Sequence, residues 1–190
     1  GGLSKLKAHG VPGLDHALVM LGLPAAHFAS QKTSLAQEMQ RLAPNIELRV
    51  RPQPMGPYYQ MMFDTAGREV PNFNADSAKW AVVEIGQYTT DYALVLDGRT
   101  IENAFGSCDG MRIAAEHLQR TLAARNFAVP LVEATSLLET KSLRNFGSQH
   151  DISKDVDQAV APLAAMILDK ANQLIGRSAR TLDGVLIAGG

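Results

Sequence analysis

The chain has 190 residues, enough to bury a core in one domain or in two small ones. Hydrophobic residues make up 46% and charged residues 19%, a balance that excludes an intrinsically disordered segment. The formal charge is −1 with Lys and Arg scattered, so direct nucleic-acid binding is not expected, and the single cysteine, Cys108, excludes an internal disulfide framework and fits a reducing cytoplasm.

In chain order, residues 3–9 read as the tail of a helix stopped by Gly10, and residues 16–21 as a short apolar strand ended by Gly22-Leu-Pro. Phe28, Leu35, Met39 and Leu42 recur at helical spacing, and Pro44 closes that helix. Ile46, Leu48 and Val50 alternate with Glu47, Arg49 and Arg51, which predicts a strand with one buried face. Met55, Tyr58, Tyr59, Met62 and Phe63 form a stripe on a short helix, and core packing alone accounts for it. Residues 65–77 carry Gly, Pro, Asn and Asp and read as the loop where one domain ends and the next begins.

The stretch 80–99 organises the remainder of the chain. Two runs, 81–83 and 92–96, are apolar at nearly every position and predict strands buried on both faces. Between them stand Glu84, a turn opened by Gly86, then Thr89, Thr90 and Asp91. A glycine, free backbone N–H groups, hydroxyls and carboxylates at a strand end suit a phosphate and its metal ion. Asp97-Gly98 signals a hairpin into a third strand, 99–105.

Gly106-Ser-Cys-Asp-Gly110 is expected to open a helix capped by Asp109 or Ser107, with Met111, Ala115, Leu118 and Leu122 on its buried face. Cys108 at such a start has no paired histidine and makes a poor nucleophile. Residues 132–143 predict another helix. Ser153 then caps a long amphipathic helix with Val156, Val160, Leu163, Ile167 and Leu174 inward, Asp155 and Asp157 near its start and Gly176 as its stop. Pro162 lies inside that pattern at a cost of about 3 kcal/mol, so the helix is expected to kink or divide near Gln158. Residues 185–188 predict a final buried strand. His9, His16, His27, His117 and His150 show no metal-ligand spacing, and neither a P-loop nor a Gly-x-Ser-x-Gly elbow is present. The most apolar helical stretch, 159–168, is about half the length of a membrane span, so no membrane association is expected.

Glu-Ile-Gly-Gln-Tyr-Thr-Thr-Asp (84–91) resembles the second phosphate motif of the actin-like ATPases, typically Asp-hydrophobic-Gly-Gly-Gly-Thr-Thr-Asp. Leu-Asp-Gly-Val-Leu-Ile-Ala-Gly-Gly (182–190) resembles the adenosine motif of that superfamily. Leu-Val-Met-Leu-Gly-Leu-Pro (18–24) and Val-Arg-Pro-Gln-Pro-Met-Gly (50–56) are similar to segments of plasmid-segregation proteins of the ParM (StbA) type. Four segments in the right order cover most of the chain.

The resemblance implies an α/β fold of the actin and heat-shock-chaperone kind, with ribonuclease-H-like halves whose mixed sheets are flanked by helices. Residues 1–75 are then the end of the first half, and 76–190 the second half with both motifs. It also implies ATP and Mg²⁺ as cofactors, self-association into filaments for plasmid segregation in the cytoplasm, and contact with DNA through a DNA-binding adaptor protein. By the same resemblance Glu84 holds Mg²⁺ through water, Thr89 and Thr90 bond the terminal phosphate, and Asp91 is the closing acid. Gly86, Gln87 and Tyr88 form the phosphate turn, and Gly189 and Gly190 lie along the nucleoside. A helix such as the Met55–Phe63 stripe connects the two halves in this family and takes part in their relative motion.

Several departures qualify these expectations. Glu84 stands where the family has Asp, and Gln87 and Tyr88 stand where it has glycines. Tyr88 either packs outside the turn or lies over the phosphate pocket and limits access of water. The family's first phosphate hairpin is missing before Leu3, so the chain reads as an internal fragment whose parent is the ATPase, the isolated piece being inactive. A non-polymerising nucleotide-binding regulator, an actin-like scaffold and, last, a sugar or acid kinase of the same superfamily are the alternatives.

Overall fold

The computed structural model describes residues 5, 8–10, 18–71 and 73–189. Most of the helix tail expected at 3–9, and the start of the strand expected from His16, lie outside the described residues.

The first unit is a β-α-β crossover. Strand β1 (Leu18–Leu23) pairs in parallel with β2 (Glu47–Pro52), and helix α1 (Ala25–Leu42) connects them. Parallel pairing needs such a crossover because the chain must return to the same end of the sheet. Register places Val19 beside Leu48 and Leu21 beside Val50, the less exposed face of the ribbon, while Leu18 and Met20 on the other face are exposed. After β2 the chain turns into the short helix α2 (Gly56–Met62), where Pro57 near the start costs no hydrogen bond because the first helical N–H groups have no internal acceptor.

The second unit is built on a mixed sheet. Strand β3 (Trp80–Ile85) pairs antiparallel with β4 (Thr89–Leu96) and parallel with the last strand, β9 (Gly184–Gly189). Beyond β4 lie the two-residue β5 (Arg99–Thr100) and then β6 (Gly106–Asp109), both antiparallel to it. The expected third strand is therefore interrupted by a 3₁₀ turn at Glu102–Ala104. The expected helix start at Gly106 is instead strand β6, so neither Ser107 nor Asp109 is a cap. Helix α3 (Met111–Ala124) begins after Gly110, with no side-chain cap.

Ala81–Val83 of β3 and Tyr92–Val95 of β4 are buried, as their unbroken apolar pattern requires. On one face Val82, Ala93 and Val95 pack against Met55 and Tyr58, so the α2 segment closes over the sheet of the second unit. On the other, Ala81 and Leu94 meet Ala104 and Ile175. β9 lies at the edge, and Val185 (50% exposed) and Ile187 (75%) leave it half-covered, which corrects the expectation of a fully buried final strand. Periodicity cannot distinguish an edge from a centre when both are apolar.

Above the sheet stands a second core. Helix α4 (Leu131–Thr140) ends three residues earlier than expected because Lys141 is left-handed (φ 53), releasing Leu143 into a hairpin of β7 (Ser142–Asn145) and β8 (Ser148–Asp151). Helix α5 (Ser153–Ile175) runs from this core back to the sheet. Ala114, Ala115, Leu118 and Leu122 of α3 meet Leu137 and Leu138 of α4 and Val156, Ala159 and Leu163 of α5. Ser153 is the first helical residue rather than the cap: Asp151 Oδ1 accepts its hydroxyl at 2.6 Å and its N–H at 2.9 Å. Those bonds hold the Asp151 carboxyl below the usual range.

α5 is not divided at Pro162. Packing of Val156, Ala159 and Leu163 on both sides of the proline holds the helix together, each buried Val or Leu contributing about 1.5–3 kcal/mol. The residual cost of the missing N–H remains, and Pro162 is exposed, so nothing is gained by it in packing. Pro162→Ala should raise the unfolding free energy by about 1–3 kcal/mol, measured by urea denaturation. A destabilised variant would show that the proline relieves a clash.

Candidate functional site

The site is the upper end of the mixed sheet, where β3 hands over to β4. Register sets Glu84 opposite Asp91, Asp91 opposite Ser107 of β6, and Glu84 beside Ala188 of β9. Directly opposed residues share a face, so Ala188, Glu84, Asp91 and Ser107 form one row across the sheet. Two residues along each strand, the same face carries Val82 and Ala93, which lie under Met55 and Tyr58.

Asp91 is buried, and both of its oxygens are occupied. Thr89 Oγ1 donates to Oδ2 at 2.8 Å and Ser107 Oγ donates to Oδ1 at 2.6 Å. Two hydroxyl donors fix that side chain in place. Glu84 is different: half-buried, it makes no hydrogen bond among the described residues, and burial, then the facing Asp91, push its carboxyl above the ordinary range.

The turn at residues 86–88 is held from behind. Gly110 N–H donates to Tyr88 O at 3.1 Å, Met111 N–H to Gly86 O at 3.0 Å, and Arg112 N–H to Gln87 O at 2.8 Å. The first N–H groups of a helix have no acceptor within it, and here they take three successive carbonyls. Across the turn, Gly86 N–H donates to Thr89 O at 2.8 Å. With its carbonyls drawn toward α3, the turn leaves the N–H groups of Gln87 and Tyr88 without an acceptor among the described residues. Consecutive free N–H groups with the positive end of a helix behind them form an anion-binding concavity.

Two glycines permit this closeness. A Cβ on Gly110 would lie 2.3 Å from Gly86 O and 2.7 Å from Thr89 N. Gly189, paired with Ile85 at φ +119, would place a Cβ 1.9 Å from Ile85 O, so β9 ends directly beside the turn.

Of the residues singled out from the sequence, Glu84, Thr89 and Asp91 converge on one face, with Gly86, Gln87, Tyr88 and Gly189 at its rim. Thr90 faces the other way: fully buried, it donates to Asp109 O at 3.0 Å and ties β4 to β6. Gly190 lies outside the described residues. Tyr88 is 69% exposed, outside the turn, with the Arg112 guanidinium 5.7 Å from its ring centre and Arg112 in turn bonded to Glu116 at 2.8 Å. Sequence reading missed Ser107, Gly110 and Arg112 as parts of the site. Their roles depend on β6 pairing in register with β4, and the only local signal was the glycine spacing of 106 and 110.

Among the described residues no group of three or more His, Cys, Asp or Glu could hold a metal ion directly. Two facing carboxylates, one of them without a hydrogen bond among the described residues, do fit a hydrated magnesium ion, which keeps most of its waters. Glu84 is the residue that would hold it through water.

Residues 82–190 match the family described as archaeal actin homologue MreB-like, C-terminal, and the chain belongs to that family. No curated protein sequence matches it. The fold is that of solved actin-like proteins. The archaeal actin homologue Ta0583 in complex with ADP has a TM-score of 0.69 at 17% identity, over 98% of this chain and 64% of that one. A MamK double helical filament gives 0.70 at 18%, over 99% and 60%. A 15-stranded ParM filament from Clostridium botulinum gives 0.68 at 19%, over 90% and 55%. The chain thus spans about three fifths of the length of these structures. Among the described residues no helix is long and apolar enough to cross a membrane.

Two stability measurements test this geometry. Because the Glu84 carboxyl is raised in the folded state, the folded chain holds that proton more tightly than the unfolded chain. Its contribution is complete below the ordinary carboxyl range and is lost as pH rises through the raised value. Glu84→Gln should therefore melt above the wild type at about pH 7, the difference vanishing toward about pH 4. A difference that widens in acid would mean that the carboxylate is stabilised by its surroundings. Tyr88→Ala should cost no more than about 1 kcal/mol, the worth of an exposed cation–π contact. A loss near 3 kcal/mol in denaturant melts would place the ring in a packed site instead.

Proposed function

We propose that this chain is the nucleotide-binding second half, with the end of the first, of an actin-like ATPase that assembles into filaments. The observation that carries the proposal is the turn 86–88, its carbonyls taken by the first N–H groups of α3 and its own N–H groups left free beside Glu84 and Asp91. In this reading those N–H groups bind the terminal phosphates, Gly86 admits the phosphate to the backbone, and Thr89 offers its hydroxyl. Asp91 holds Thr89 and Ser107 in position, and Glu84 orders the waters of Mg²⁺. Bound Mg²⁺ supplies charge neutralisation for phosphoryl transfer, which asks the protein for positioning more than covalent chemistry. Gly189 and Gly190 lie along the nucleoside, and Thr90 supports the turn from the other face. The boundary between the two halves falls in residues 65–77.

The ADP-bound archaeal homologue and the ParM and MamK filaments support nucleotide binding and self-association as the class of function. Segregation of plasmid DNA through a DNA-binding adaptor, in the cytoplasm, is the biological role we assign. A second reading, a nucleotide-binding regulator or scaffold that hydrolyses slowly, is favoured by the side chains of Gln87 and Tyr88 at a turn where bare backbone would approach phosphate most closely.

The full-length protein separates these readings. Wild type should pellet with Mg-ATP and hydrolyse it. Glu84→Gln should bind ATP with about wild-type affinity yet hydrolyse it at least about tenfold more slowly. Nucleotide binding without pelleting would select the regulator, and unchanged turnover in Glu84→Gln would show that the metal is organised elsewhere.

A further inference from the structure

Two hairpins among the described residues have two-residue turns, and they differ in the residue that opens the turn. Between β4 and β5 the turn is Asp97-Gly98, with φ 49 and 69; between β7 and β8 it is Phe146-Gly147, with φ 45 and 84. Positive φ at both central residues defines the type I′ turn, where Asp and Asn are tolerated because their short side chains bond locally, whereas a bulky residue is an outlier. Asp97-Gly98 obeys that rule. Phe146 breaks it.

The surroundings also differ. A Cβ on Gly98 would meet Ala75 O at 2.4 Å, so the first turn is packed against the chain, whereas Gly147 has nothing within 4 Å of its Cβ position. Phe146 is fully exposed, at 102% of its reference area. The ring therefore gains nothing from folding, occupies a backbone conformation it disfavours, and projects from the hairpin tip. Its base is well anchored: Leu143 is buried, the His150 ring lies 5.0 Å from that of Phe127, and Lys141 bonds Asp157 at 2.8 Å. An anchored arm with an apolar tip is an arrangement for contact with something outside the chain.

We propose that Phe146 is a knob inserted into a second copy of this chain when it assembles, an inference that rests on the filament reading of its function. The hairpin feeds the N-terminus of α5, which runs about 34 Å back to the sheet, so the knob lies at the opposite end of that helix from Ile175 and the lower strands. Seated on any surface other than a second tip, and not returned by a two-fold exchange of tips, a knob at one end makes a contact between unlike surfaces. It joins one surface to a different surface of the next copy, and such heterologous contacts propagate into open filaments when the rotation does not close.

The test uses the full-length protein and Phe146→Asn, which removes the ring and supplies a residue that left-handed backbone accepts. The melting temperature should be equal to or above that of wild type, and the concentration needed for Mg-ATP-dependent pelleting should rise about tenfold or more. Wild-type pelleting by a folded Phe146→Asn protein would overturn the knob while leaving the filament reading intact. In parallel, p-benzoylphenylalanine placed at position 146 and irradiated with Mg-ATP should yield covalent chain-to-chain adducts. Adducts from a protein that does not pellet would keep the contact and defeat the filament reading. Absence of adducts, or cosedimentation with anionic phosphatidylserine vesicles lost in Phe146→Asn, would overturn a second copy as the occupant.

Discussion

The organisation of the site depends on a helix start that has no side-chain cap. Gly110, Met111 and Arg112 give their N–H groups to the three carbonyls of residues 86–88, so helix α3 is capped by the turn and the turn is shaped by the helix. Each N–H would otherwise need water or a hydroxyl, and each carbonyl would otherwise be free to rotate. The exchange requires close approach: a side chain at 110 would collide with Gly86 O, Thr89 N and Tyr88 C. One glycine thus determines which way the peptide planes of the turn face, and with them where the free N–H groups point.

The carboxylates depend on the same register. β6 must pair with β4 so that Gly110 arrives at the turn, and that pairing also sets Ser107 against Asp91. Both oxygens of Asp91 thereby accept from hydroxyls, which places Thr89, while Glu84, one strand away, makes no hydrogen bond among the described residues. Burial first, and then the facing Asp91, raise the Glu84 carboxyl.

Much of this was legible in the sequence. The doubly apolar strands at 81–83 and 92–96, the Asp97-Gly98 turn, the helix closed by Pro44 and the long last helix all arise from local pattern. What was not legible is non-local. The strand 106–109 carries the Ser, Asp and Gly of a helix start, and only pairing with residues 89–92 makes it a strand. The early end of α4 depends on Lys141 adopting a left-handed conformation, for which the sequence offers no glycine. The exposure of β9 depends on its place at the edge. Pro162 was expected to kink or divide α5 near Gln158; it does not divide it, because packing on both sides outweighs one lost hydrogen bond.

The face of the sheet also has a consequence for motion. Val82, Ala93 and Val95 lie on the same side as Glu84 and Asp91, and they are covered by Met55 and Tyr58 from the segment after β2. Glu84 and Val82 are two residues apart on one strand, as are Asp91 and Ala93 on its neighbour. Strands transmit displacement along their length because their pairing is stiff, and packed cores shift between discrete arrangements rather than deforming gradually. A ligand that drew Glu84 or the 86–88 turn toward itself would therefore act on the surface against which α2 is seated. Conversely, any force that levered the first unit away from the second would be felt at Val82 and Ala93 before it reached the carboxylates. This places the Met55–Tyr58 contact between the carboxylate row and the β-α-β unit.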